Sequence, residues 1–192
     1  MSDPAPRLAT YADLQSLPED VRAEVLGGTV VTSPAPLPKH SRAQRSLARF
    51  VGGPFDDDDG QGGPGGWWIF VEVDVQLGPH DIVRPDLVSW RRERLPNPAD
   101  LRPITVVPDW VCEVLSPSTA AHDKITKRAV YARSGIRHYW IIDVDAHTLE
   151  AFELLDQRWL LAGTYGDDAL ARIAPFEQIE LAVRRLFLPK AE

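Results

Sequence analysis

A Val-, Trp- and Cys-rich run over residues 106–115 ends abruptly at Ser116-Pro117-Ser118-Thr119. Such a run predicts a central strand covered on both faces. Side chains alternate along a strand, so Val111, Glu113 and Leu115 share one face and Trp110, Cys112 and Val114 the other. Both faces are apolar except at Glu113. A carboxylate there is costly unless it is protonated, paired or bound to a metal.

Residues 1–9 read as a loose tail, and residues 11–17 as a short helix ended by Pro18. Residues 21–32 suggest a hairpin turning at Gly27-Gly28, with Glu24 near the end of its first run. A Pro-rich connector, 33–38, leads into a helix over 39–51. There Ala43, Leu47 and Phe50 recur at spacings of four and three, with Arg42, Arg45 and Arg49 between them and His40 in the first turn. Residues 52–66, rich in Gly and carrying four consecutive Asp, read as a mobile, solvated loop rather than a cation site. Residues 67–77 predict one long strand with Trp67, Ile69, Val71, Val73, Val75 and Leu77 inward and Glu72, Asp74 and Gln76 outward.

Residues 82–90 predict a short strand with Asp86 inside it, followed by a charged, Pro-rich loop over 91–103. A helix over 120–134 is expected, capped by Ser118 or Thr119 and closed by Gly135. Residues 137–143 predict a buried strand. Residues 148–155 and 158–165 predict a hairpin turning at Asp156-Gln157, and residues 179–188 a last strand or short helix. The order implies an α/β (α+β) fold, helices packed on a mixed central sheet, in one domain over 10–188.

Composition narrows the classes. At 192 residues, 44% hydrophobic and 26% charged, the chain suits one globular domain. No apolar run approaches the roughly 20 residues of a membrane span. The N-terminus lacks a basic segment followed by an apolar one, so no signal peptide is expected. The lone Cys112 excludes an internal disulfide and Cys-based zinc sites, and fits a cytoplasmic location. A net charge of −7 argues against broad non-specific nucleic-acid binding without excluding a local basic groove. Neither GxGxxG nor a phosphate-loop motif is present, so nucleotide cofactors are unsupported.

Asp86 and Glu113 are acids set in apolar strands, spaced to lie on neighbouring strands joined by a long loop. Side by side they would repel, and a divalent cation would remove the conflict. Mg²⁺ prefers oxygen ligands and is usually held by one or two carboxylates plus a substrate phosphate. The competing reading makes Asp86 a turn acid and pairs Glu113 with an internal Arg or Lys.

Four segments, in order, resemble a large bacterial group of restriction-endonuclease-like proteins in the PD-(D/E)XK nuclease superfamily. They are Val83-Arg84-Pro85-Asp86-Leu87, Glu113-Val114-Leu115-Ser116-Pro117-Ser118-Thr119, Asp123-Lys124-Ile125-Thr126-Lys127-Arg128-Ala129-Val130-Tyr131 and Gly135-Ile136-Arg137-His138-Tyr139-Trp140-Ile141-Ile142-Asp143. Ala23-Glu24-Val25-Leu26-Gly27-Gly28 resembles the group's Tyr-Glu-Leu-Ile-Asp-Gly motif, and the Pro-rich stretch ending at His40 also matches. The resemblance implies a restriction-endonuclease-like fold and Mg²⁺- or Mn²⁺-dependent hydrolysis of DNA phosphodiester bonds. It makes Pro85-Asp86 the PD pair, Glu113 the (D/E), and Glu24 an acid that completes the metal site. His40 is either a site residue or an ordinary polar residue at a helix start.

One departure stands out. The superfamily's Lys belongs two residues after the Glu, where this chain has Leu115. In the bacterial group the Lys has moved to the following helix, where Lys127 matches, with Tyr131 one turn later. Asp123, Lys127 and Tyr131 share a stripe at i, i+4, i+8. The most apolar stripe, Ile125, Ala129, Ala132 and Ile136, lies nearly opposite, and if it alone faced the sheet Lys127 would point to solvent. Lys124 is the fallback. Leu115 and the −7 charge favour an alternative, a catalytically inactive nuclease-fold module for binding or assembly. A hydrolase of another phosphate ester would use the same carboxylates. A homodimer is suggested by fold-level analogy alone. Trp67-Trp68 reads as core before it reads as a base-stacking platform, and the Arg42, Arg45, Arg49 series as either a phosphate contact or a solvated helix face.

Overall fold

The computed structural model describes residues 7–57, 63–116 and 122–189. Helix α1 (Tyr11–Gln15) precedes the hairpin β1 (Ala23–Leu26) and β2 (Thr29–Thr32). Gly27 and Gly28 turn it with φ of 57° and 80°, which only glycine adopts without strain. Helix α2 (Pro38–Phe55) follows, then β3 (Trp67–Phe70), β4 (Val75–Gly78), β5 (Asp81–Val83), β6 (Leu87–Arg91) and β7 (Trp110–Leu115). A π-helical turn, His122–Lys127, runs into α3 (Arg128–Arg133). Strands β8 (His138–Asp143), β9 (Thr148–Leu155), β10 (Arg158–Tyr165), β11 (Leu170–Ala171) and β12 (Leu181–Ala182) precede a 3-10 turn, Val183–Leu186.

A six-stranded sheet has the order β10-β9-β8-β7-β6-β3, and a four-stranded sheet the order β2-β1-β5-β4. The larger sheet is mixed: β7 and β8 are parallel and its other pairs antiparallel. A parallel pair needs a crossover, and the π-helical turn with α3 supplies it. The expected alternation along β7 holds. Trp110, Cys112 and Val114 join the core under α2, with Ala43, Leu47, Val51 and Phe55. Val111 and Leu115 join a second core with Val130, Tyr131, Tyr139 and Ile141. Four aromatic rings, Phe55, Trp67, Trp110 and Trp140, surround Phe176 in the first core at centroid distances of 4.8 to 5.8 Å.

Several elements differ from expectation. The long strand over 67–77 is two strands in different sheets. The chain breaks at Glu72, whose φ is 54°. Arg22 and Gln44 hold its carboxylate, and its N–H donates to the Pro85 carbonyl. Around the break the expected faces fail: Val71, just before it, is exposed and Asp74, just after it, is buried against Arg84. The strand over 82–90 is likewise divided into β5 and β6, with Asp86 at the junction. The loop expected from Gly52 starts after Phe55, because α2 carries Phe55 into the core. Its first acid, Asp56, binds Arg92 and accepts from the Ile69 N–H, and residues 58–62 of that loop lie outside the described residues. At the N-terminus, the Ala9 N–H donates to the Gly28 carbonyl and Ala9's carbonyl meets His80, so Ala9 is anchored. The expected caps, Ser118 and Thr119, lie outside the described residues.

Candidate active site

Four separate parts of the chain meet at the end of β7. Strand pairing accounts for the first two. Leu87 pairs with Cys112, so Asp86, just before the one, and Glu113, just after the other, are neighbours across adjacent strands. The Val114 N–H donates to Asp86 Oδ2 at 2.7 Å, which ties the Asp86 side chain to the strand of Glu113. Both acids line one cavity of about 320 Å³ with Glu24, His40, Asp123 and Lys127. Asp86 is 7% exposed and Glu113 2%.

The crossover helix delivers the cation. A helix joining two parallel strands lies over the sheet, so the side chains on its inner face look down on the strand it has left. Lys127 is on that face and only 5% exposed. Its Nζ lies 2.9 Å from Glu24 Oε2, 3.1 Å from Glu113 Oε1 and 3.4 Å from Asp123 Oδ1. An ammonium has three donors, and three carboxylates surround it. Tyr131, one turn on, donates its hydroxyl to Glu113 Oε1, and Tyr139 donates to the Asp123 carbonyl. The apolar stripe therefore does not decide the helix orientation. Ile125 is 71% exposed, while Asp123, Lys127, Val130 and Tyr131 are buried. Charge pairing with the sheet outweighs the burial of Ile125. Lys124 instead lies 3.9 Å from Asp143, half exposed, away from the cavity.

The hairpin and α2 complete the walls. Glu24 on β1 accepts the Arg84 N–H at 2.6 Å through Oε1 while Oε2 holds Lys127. Glu24 thus ties the crossover helix to β1 and to the segment that follows β5. His40, in the first turn of α2, places Nε2 3.3 Å from Asp86 Oδ1. Burial works against its protonation, but the hydrogen bond and charge of Asp86 outweigh it and raise its pKa above the ordinary histidine value. Gln44, one turn further, donates to the Asp86 carbonyl at 3.2 Å and to Glu72 at 2.9 Å.

Electrostatics give the site its character. Burial pushes the Glu113 carboxyl well above the usual range. Lys127 pulls it down, and Asp123, Asp86 and Glu24 push it up again. Burial also opposes the Lys127 charge, but Glu113, Glu24 and Asp123 outweigh it and hold the ammonium well above the ordinary lysine value. Four carboxylates line the cavity with two fixed cations, Lys127 and Arg84, and the Arg84 guanidinium is taken by Asp74 at 2.6 Å. Acidic groups outnumber the basic ones around the pocket, His40 included.

A divalent cation fits this donor chemistry in one respect. The carboxylates are hard oxygen donors, and a surplus of buried negative charge favours a cation. Among the described residues no group of three or more His, Cys, Asp or Glu side chains is gathered so as to hold a metal ion unaided. Mg²⁺ does not need such a cage, since it keeps several waters and takes one or two carboxylates.

Asp86, Glu113, Glu24 and Lys127 are all brought together. Asp123 and Arg84 lie within segments that carry the family resemblance, but Asp123 was singled out only as Lys127's i, i+4 partner and Arg84 not at all, and Gln44 carried no recognisable signal. Trp67 belongs to the first core; Trp68 donates its indole N–H to the Leu95 carbonyl beneath the Arg92 guanidinium.

Such a site on a mixed sheet crossed by one helix defines a nuclease-type fold. A crystal structure described as "a putative nuclease belonging to DUF820", from Anabaena variabilis ATCC 29413, superposes with a TM-score of 0.74. The two are 22% identical over 93% of this chain and 97% of that one, a likeness that speaks for the fold. The chain belongs to the Uma2 family, described as "Putative restriction endonuclease", whose profile matches residues 8–184. No curated protein matches. No helix among the described residues is long and apolar enough to cross a membrane.

Proposed function

We propose that the protein is a Mg²⁺- or Mn²⁺-dependent endonuclease that hydrolyses DNA phosphodiester bonds at this pocket. The observation that carries the reading is the convergence of Asp86, Glu113 and Lys127, from three separate elements, on one acid-rich cavity. Asp86 and Glu113 would hold the metal. Bound there, it would supply Lewis-acid stabilisation of charge on the phosphoryl group and activation of water. Glu24 has both oxygens engaged, by the Arg84 N–H and by Lys127, so its first task is to fix the lysine. It would reach a metal only by releasing one of them.

Lys127 stays protonated, which excludes it as a general base and suits it to donate hydrogen bonds to a phosphoryl oxygen or an attacking water. Asp123, its most distant partner, is the contact most readily exchanged for one of these. Tyr131 and the Val114 N–H hold the two carboxylates in their rotamers. The test is nicking of plasmid DNA with Mg²⁺ or Mn²⁺. Wild type cleaves and Asp86→Ala does not; cleavage surviving that substitution contradicts the site.

A second reading, a binding module on a nuclease fold that has lost catalysis, is favoured by the complete pairing of Lys127. It is separated from the first by whether Mn²⁺ binds at all.

A further inference from the structure

Helix α2 carries a second chemistry on its other side. Arg42, Arg45 and Arg49 recur at spacings of three and four, which aligns them along one stripe. At 100° per residue that stripe lies opposite His40 and Gln44, which face Asp86. With Arg185 from the 3-10 turn, the three line a cavity of about 500 Å³ walled otherwise by Ser46, Phe50 and Pro54. No acid is among these lining residues. The four arginines have no ion pair or hydrogen bond among the described residues, and the Nε of Arg42 is sealed from solvent without a partner.

This is unusual within the molecule. Arg22, Arg84, Arg92, Arg94 and Arg133 are each paired with an acid. In a chain of net charge −7, acids are plentiful. Gathering four unpaired guanidiniums around one hollow sets like charges against each other, and an anion relieves that repulsion. Guanidinium is the side chain best shaped to grip phosphate. The stripe from Arg42 to Arg49 rises about 10 Å along the helix. That reaches beyond one phosphate and suits a succession of them. The ring of Phe50 gives the groove an apolar wall for sugar or base.

We propose that this groove binds the phosphate backbone of nucleic acid at a position separate from the acidic pocket, holding a stretch of strand that is not the one cut. The proposal rests on the nuclease reading for its biological sense, but binding tests it without cleavage.

The experiment measures anisotropy of a fluorescent DNA duplex and of the corresponding single strand over a salt series, with Asp86→Ala protein so that nothing is cut. Arg45 and Arg49 are exposed, so R45A/R49A should leave the fold intact, with circular dichroism as the check. The pair should weaken binding roughly tenfold and reduce the slope of log K against log salt by about 1.8, two phosphate contacts' worth. R137A/R158A removes the same charge from exposed sites elsewhere and should leave affinity within about twofold. Equal weakening by both pairs, no change with R45A/R49A, or no DNA binding by the Asp86→Ala protein would each overturn the proposal. If wild type fails to cut DNA while the arginine-dependent binding persists, the nuclease reading falls and the groove stands.

Discussion

The two faces of β7 put the same physical problem in opposite forms. Under α2, Trp110, Cys112 and Val114 pack against aliphatic and aromatic side chains, and charge is excluded. On the other face, Val111 and Leu115 flank Glu113, and around it gather Lys127, Asp123, Glu24 and Tyr131. Burial acts on ionisable groups of both faces with different results. His138, which shares its face of β8 with Trp140 and Ile142, has its pKa lowered chiefly by burial, against the pull of Glu153. Lys127 is more deeply buried than His138 but keeps its charge because three acids face it. Burial alone neutralises a group; burial inside a matched cluster preserves the charge and makes it available for chemistry.

The largest expected effect separates the faces by function. Asp86→Ala should lower plasmid cleavage by at least ~10²-fold, the scale of losing a main electrostatic element of a site. Leu87→Ala, one residue on and in the dry core, should leave residual cleavage in proportion to folded protein. A variant that loses activity while folding normally marks the acidic face alone.

Stability comes next. Lys127→Met leaves Glu113, Glu24 and Asp123 without their cation, and should cost about 3–5 kcal/mol in urea unfolding. Leu87→Ala should cost a similar ~2–5 kcal/mol through its cavity. Divalent cation distinguishes them: Mn²⁺ should restore part of the loss in Lys127→Met and none in Leu87→Ala. Glu113→Gln has the opposite sign. It removes one acid from a surplus, so the metal-free variant should be more stable by roughly 1 kcal/mol, and melt higher, while failing to cleave. A lower melting temperature would mean that the surplus is not the dominant strain.

The smallest effect is a pH dependence on the dry face. His138 has a lower pKa folded than unfolded, so the folded state binds fewer protons near pH 6. Its contribution to stability is present above the unfolded value of about 6.5 and is lost as pH falls through the lower folded value. Besides Glu153, the charges acting on it are Arg137, Glu177 and Asp109. His138→Gln should flatten the stability–pH curve below about pH 6.5, read as melting temperature against pH.

The two faces were not equally legible in the sequence. The alternation along β7 was read from period-two patterning and holds in the structure; Asp86 and Glu113 are neighbours as their spacing implied, but Asp86 lies in the bend before β6 rather than inside a strand, and Glu113 is paired with an internal lysine, Lys127, as the competing reading had it. Lys127 was legible through the family resemblance and through its stripe with Asp123 and Tyr131, but hydropathy pointed the helix the other way, toward Ile125. Hydropathy scales score each residue by its own transfer cost and miss a lysine whose cost is offset by three carboxylates, two of them on other elements of the chain. The break at Glu72 was illegible for the same reason. A positive φ there is sustained by contacts with Arg22, Gln44 and Pro85, which no window of neighbouring residues contains.

The central claim is that the acids beside β7 are assembled to accept a doubly charged cation. Calorimetric titration of Mn²⁺ into wild type and Glu113→Ala tests it most directly. The account predicts saturable heat in wild type that disappears in Glu113→Ala while the variant remains folded. Wild type without heat, or equal heat from both proteins, would contradict it.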